Sequence, residues 1–175
     1  MYQILIIMTS LFILNCSSKK VLKEDLSQNK EQEKSTYIIT KDGKKLEKVI
    51  KSDEAWKAQL SESEYYVLRK KGTEMAFTSN LNENKKSGYY KCTGCNTILF
   101  DSETKFDSGT GWPSFYKPHD ATLIDEEIDY KIGYARTEVL CAVCGGHLGH
   151  VFNDGPKPTG LRYCINGVAL KFDEK

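Results

Sequence analysis

The chain has 175 residues, 28 % of them charged and 39 % hydrophobic, and its 25 basic and 24 acidic side chains leave a formal net charge of +1. Such a composition describes one ordinary globular domain with some extra chain: two large domains do not fit, no basic field announces a nucleic-acid partner, and no acidic excess announces general disorder. A domain of roughly 130–140 residues buries about two-thirds of its unfolded surface without needing disulfides, so the six cysteines need a chemical explanation.

Residues 4–14 read ILIIMTSLFIL, an apolar run of eleven residues, whereas a spanning helix needs about 20. The run is the length of a secretory signal core and stops at Asn15-Cys16-Ser17-Ser18, ahead of Lys19-Lys20. It resembles a bacterial lipoprotein signal, although nothing basic precedes it and Asn15 is bulkier than the usual residue before the cysteine. That resemblance implies residues 1–16 as signal peptide, lipid on Cys16, and a membrane-anchored protein of the cell envelope on its periplasmic or surface face. An ordinary cleaved start is the alternative. Residues 17–36 carry only Val21, Leu22 and Leu26 as apolar side chains and cannot repay their ordering entropy, which makes them a polar tether to a domain over 37–175.

Residues 37–50 suit a hairpin about Lys41-Asp42-Gly43-Lys44. Ser52 before Asp53-Glu54, with Trp56 and Leu60 one turn apart, predicts a short helix. Ser61-x-x-Glu64 is a capping box opening a second helix, with Gly72 as its stop. From Tyr89 onward short groups rich in Tyr, Phe, Ile and Val alternate with Gly, Asn and Asp. They predict strands near 88–91, 98–101, 121–125, 136–141, 148–153, 161–165 and 168–172, and a mainly β, antiparallel fold.

Cys92-Thr93-Gly94-Cys95 and Cys141-Ala142-Val143-Cys144, each with a glycine nearby to turn backbone amides toward sulfur, form the ligand set of a structural, tetrahedral Zn2+. Two redox dithiols or disulfides, or a Cys141, Cys144, His147 and His150 site, are the other readings. Cys164 lies in Arg162-Tyr163-Cys164-Ile165-Asn166. Strand alternation puts Arg162, Cys164 and Asn166 on one face, and a neighbouring guanidinium favours thiolate. His147 and His150 can supply an acid near working pH. A buried structural cysteine is the plainer reading of Cys164, as a core tryptophan is of Trp112.

Three stretches resemble the methionine-R-sulfoxide reductase B family: Ser108-Gly109-Thr110-Gly111-Trp112-Pro113-Ser114-Phe115, the run from Gly145-Gly146-His147 through His150-Val151-Phe152-Asn153-Asp154-Gly155-Pro156, and Arg162 through Asn166. The resemblance spans about residues 52–172. It implies two antiparallel sheets with short N-terminal helices, a zinc remote from catalysis, and reduction of the R epimer of methionine sulfoxide, free or in oxidised proteins; a monomer is the separate expectation. It makes Cys164 the nucleophile that becomes a sulfenic acid, His150 the acid with His147 assisting, and Trp112 and Phe152 the substrate-binding aromatics. Asn166 would hydrogen-bond in the pocket and Arg162 would support the thiolate, with Asp154 either its partner or a turn residue. Many family members carry a second cysteine where this chain has Thr110. With Cys16 given to lipid and four cysteines to zinc, recycling falls to a thioredoxin-like or small external thiol. The competing reading from another class is a non-catalytic zinc-stabilised β module that binds an oxidised or hydrophobic ligand.

Overall fold

The computed structural model describes residues 36–175; the signal, Cys16 and nearly all of the tether lie outside the described residues. The expected hairpin forms from β1 (Tyr37–Ile39) and β2 (Lys45–Glu47), with Ile38 opposite Leu46. Its Gly43 sits at φ +79°, a conformation that favours glycine. In α1 (Asp53–Gln59) the Ser52 side chain accepts from the Ala55 amide, and Trp56 is buried. In α2 (Glu62–Lys70) both halves of the Ser61/Glu64 capping box are made, and Val67 and Leu68 face the core. The helix ends one residue before the expected stop: Lys71, not Gly72, is left-handed at φ 54°. Gly72 is needed for room instead, because a Cβ there would stand 2.2 Å from the Tyr66 ring.

The remaining strands are β3 (Gly88–Cys92), β4 (Ile98–Asp101), β5 (Lys105–Phe106), β6 (Ser114–Phe115), β7 (Ile124–Asp129), β8 (Arg136–Cys141), β9 (His147–Phe152), β10 (Arg162–Ile165) and β11 (Leu170–Glu174). They form a six-stranded sheet in the order β5-β6-β10-β9-β8-β7 and a three-stranded sheet β11-β3-β4, every pair antiparallel. These are the two expected antiparallel sheets; β1 and β2 make a small third one. Two expected strands begin later than the sequence suggested. Residues 121–123 form a 3-10 turn because Asp120 accepts from the Thr122 amide and hydroxyl. Residues 167–169 form another, where the Glu74 carboxylate takes the Gly167 and Val168 amides. The two-residue strands β5 and β6 are too short for alternation to reveal them.

The core lies between the two large sheets. Tyr90 and Phe100 from the smaller meet Phe115 and Tyr163 from the larger, with Phe100 stacked on Phe115 at 4.4 Å between centroids and Tyr90 edge-on to Phe115 at 4.9 Å. Phe100 and Phe115 have no exposed surface, and each such burial contributes about 1.5–3 kcal/mol. On β10 the alternation holds as expected: Tyr163 and Ile165 are buried in this core, while Arg162 and Cys164 face the other way, half-buried.

Candidate active site and metal centre

The four knuckle cysteines come together, their sulfurs all within 4.8 Å of one another. Cys92 Sγ lies 3.7 Å from Cys144 Sγ, and Cys95 Sγ 3.6 Å from Cys141 Sγ. Four sulfurs at about 2.3 Å from a central zinc stand about 3.8 Å apart by tetrahedral geometry, and a disulfide would need about 2.05 Å; the spacing fits one ion and not two bridges. Without an ion the four sulfurs share their protons unequally. The Cys141 thiol, donating to them, holds Cys95 and Cys144 below the ordinary thiol value, while Cys144 pushes Cys141 well above it. A dication is what lets all four ionise together. The local turns are a matched pair: Asn96 at φ 61° and Gly145 at φ 66° send their amides back to the Cys92 and Cys141 carbonyls. The left-handed residue of the first knuckle is Asn96, just past its second cysteine, and in the second it is Gly145. The Cys2His2 alternative is not formed: among the described residues the cluster that could hold an ion joins Cys141 and Cys144 to Cys92 and Cys95, without His147 or His150.

On the outer face of the large sheet the registers line up a row of side chains across all six strands: Phe106, Ser114, Cys164, His150, Glu138 and Glu127. Above the row a cavity of about 120 Å³ is lined by Cys164, His150, Trp112, Phe152 and Asn166, together with Thr73, Arg136 and Gly149. Five residues singled out from sequence thus share one small cavity, and Trp112 is a half-buried wall rather than a core plug. Arg162 stands beside it, its guanidinium 4.4 Å above the Phe152 ring and paired to both Asp154 oxygens at 2.9 and 2.8 Å. Asp154 is therefore Arg162's partner and more than a turn residue.

Cys164 departs from the simple expectation of a thiolate. Burial pushes its thiol above the ordinary value; Thr110, Arg162 and Ser114 pull it back only in part, and the Arg162 charge is shared with Asp154. Thr110 Oγ1 is 3.8 Å from Cys164 Sγ and continues through Ser108 (2.8 Å) to Ser114 (2.7 Å), a chain of hydroxyls at the thiol.

His150 is held below its usual range by burial, with Asp129 opposing and Arg136 assisting. Asp129 accepts from the Lys131 amide, His150 and Arg136, which depress its carboxyl well below the usual range. It stays ionised, so a neutral His150 carries its proton on Nε2 toward Asp129 and leaves Nδ1 as a lone pair able to take a proton. His147 is placed behind. It does not line the cavity but stands edge-on to His150 at 5.5 Å between centroids, its Nδ1 2.7 Å from Glu138. Glu138 in turn binds Lys71 at 2.7 Å. Asn166 is also used differently than expected: Nδ2 donates to the Leu148 carbonyl at 2.9 Å and Oδ1 accepts from the Glu74 amide at 2.9 Å, so both ends of the amide tie backbone together.

A family model described as the SelR domain matches residues 60–174. Proteins named peptide methionine sulfoxide reductase MsrB are similar over the same body. That of Leptospira interrogans is 57 % identical over 127 residues, 73 % of this chain and 97 % of its own length. That of Bradyrhizobium diazoefficiens is 56 % identical over 129 residues, 74 % and 93 % of the two chains, and that of Teredinibacter turnerae 48 % over 126, 72 % and 93 %. The chain belongs to the MsrB family. Thr73, Asp129, Arg136 and Glu138 belong to the candidate site of this MsrB-family chain and were not singled out from sequence. Arg136 and Glu138 alternate on β8 as Arg162 and Cys164 do on β10, a signal available in the sequence; Thr73 and Asp129 carried none.

Proposed function

We propose that the chain reduces the R epimer of methionine sulfoxide to methionine, with Cys164 as nucleophile and His150 as proton relay. The observation that carries this is the placement of an oxidisable thiol, a neutral imidazole with one free nitrogen and an aromatic wall around a cavity of side-chain size. Family membership at 48–57 % identity over nearly the whole of the relatives favours it over the non-catalytic binding module.

The raised thiol of Cys164 suits this chemistry. A thiol and a sulfoxide convert to a sulfenic acid and a thioether with no proton gained or lost overall. The Cys164 proton passes to His150 Nδ1 as Sγ attacks; the sulfoxide oxygen is transferred to Sγ and takes that proton, leaving Cys164–SOH and methionine. The sulfoxide is reduced by two electrons and the cysteine oxidised by two. Asp129 holds the transient imidazolium, Trp112 and Phe152 take the apolar methyl side of the substrate, and the Arg162–Asp154 pair fixes the charge beside sulfur. Cys92, Cys95, Cys141 and Cys144 would hold a structural Zn2+ that cross-links the ends of β3 and β8.

With Thr110 beside Cys164, the sulfenic acid is cleared by an external thiol, thioredoxin-like or small, through a mixed disulfide. The body is carried on the envelope side of a membrane by lipid on Cys16. That part of the reading rests on the eleven-residue apolar run ending at Asn15-Cys16 and is tested by lipid labelling of wild type against Cys16→Ala.

The reaction itself is tested by single turnover of each epimer of N-acetyl-methionine sulfoxide amide without added thiol. About one methionine per chain from the R epimer alone, abolished in Cys164→Ser, is the expected result. Folded, zinc-loaded protein that yields none would return the chain to the binding-module reading.

A further inference from the structure

Glu74 has no place in the chemistry above, yet it spends every polar group it has on the parts that do. Its amide donates to Asn166 Oδ1 at 2.9 Å, and its carbonyl accepts from Trp112 Nε1 at 3.2 Å. Its carboxylate accepts from the Gly167 amide at 2.6 Å and the Val168 amide at 2.8 Å. One residue therefore joins the indole wall to the turn that follows the nucleophile's strand. Through Asn166 Nδ2 and the Leu148 carbonyl it also reaches the strand that carries His150.

The fit requires a carboxylate. Two successive amides at the start of the 3-10 turn Gly167–Ala169 have no partner within it, and a carboxylate offers each an oxygen. A glutamine offers one oxygen and turns an NH2 group on the other amide; an aspartate is one methylene too short. Glycine is demanded here chiefly by Ser79, since a Cβ at Gly167 would stand 2.0 Å from Ser79 Oγ and 2.4 Å from Ser79 Cβ, while its 3.3 Å to Glu74 Oε1 is only tight.

We propose that Glu74 is a positioning residue that sets the spacing between the Trp112 indole and Cys164, and thereby substrate affinity rather than the rate of oxygen transfer. This rests on the reductase reading. An indole against the substrate methyl acts alike on ground and transition states, so its displacement is read in KM and not kcat.

The test uses wild type, Glu74→Gln and Glu74→Asp labelled with 5-fluorotryptophan, which gives two resonances because the chain has two tryptophans. Losing one hydrogen bond to the carboxylate is expected to raise KM for the R-sulfoxide about tenfold with kcat within about twofold. The Trp112 resonance shifts while that of the buried Trp56 stays, and the melting temperature falls by about 5 °C, as one lost hydrogen bond implies. A merely structural glutamate would lower the melting temperature with both resonances disturbed and KM unchanged, which overturns the proposal. An unmoved Trp112 resonance, or a fall in kcat at unchanged KM, overturns it as well. The spectra need no turnover, so an inactive wild type whose Trp112 resonance still moves in Glu74→Gln would defeat the reductase reading and leave the indole's dependence on Glu74 established.

Discussion

Replacing Gly149 by alanine should unseat the nucleophile without touching a reacting group. Gly149 lies on β9 opposite Ile165, next to the pair formed by His150 and Cys164. An added Cβ would stand 2.0 Å from the Cys164 carbonyl oxygen and 3.0 Å from both its carbonyl carbon and Ile165 Cα. Every one of these atoms is backbone, so no side chain can turn aside. Ordinary contact begins at 3.4 Å, so β10 must move from β9 by roughly 1.4 Å, the gap between 2.0 and 3.4 Å, and ladder hydrogen bonds do not survive such a stretch. Two lost bonds with their amides left dry cost about 2–4 kcal/mol, and a misplacement near 1 Å costs about 100-fold in rate. Urea unfolding gives the first number and single-turnover methionine formation the second. A variant within about 0.5 kcal/mol of wild type, turning over at the wild-type rate, would refute the claim that this strand contact sets the position of Cys164.

The remaining expectations concern metal, pH and recycling. Chelation should remove one zinc per chain and drop the melting temperature steeply, because structural zinc is worth about 10–16 kcal/mol in small sites against a domain stability of about 5–15; unchanged melting of metal-free protein would rule out the cross-link. His147 and His150 are both held below their ordinary value, first by burial, so the unfolded chain binds their protons more readily than the fold does. Their contribution is complete above about pH 6.5 and is lost as pH falls toward their lower folded values; a urea midpoint that is flat or rising from pH 7.5 to 5 contradicts this. Thr110→Cys should place a second thiol beside Cys164, given the present 3.8 Å from Oγ1 to Sγ. One turnover should then consume two titratable thiols rather than one, and mass spectrometry that finds no disulfide between Cys164 and the introduced thiol would show that the 109–111 loop cannot close.

Much of this was legible from local rules. Ser52 and Ser61 with Glu64 are caps whose donors lie within four residues, and the Cys-x-x-Cys spacing fixes each half of the cluster by itself. Alternation on β10 separated Tyr163 and Ile165 from Arg162 and Cys164 because it needs only a pleat. What stayed hidden depends on partners far along the chain. Glu74 and Glu138 are ordinary charged residues until Gly167, Val168 and Asn166, or Lys71 and His147, are brought to them. Alternation puts Asn166 on the Cys164 face and it lines the cavity, yet two backbone groups claim its amide. The Arg162 guanidinium favours thiolate by sequence adjacency, but Asp154 shares its charge and burial outweighs what remains.

The row from Phe106 to Glu127 makes competence a matter of alignment. Cys164 meets His150 only while β10 and β9 keep their register; a slip of two residues would set it opposite Leu148 or Phe152, and a slip of one would turn it into the core. Neither strand carries one of the four clustered cysteines, which sit on the 92–95 and 141–144 segments and could hold the metal. A preparation with its full complement of metal can therefore be inert, and zinc content and titration of the Cys164 thiol grade two different parts of the same molecule.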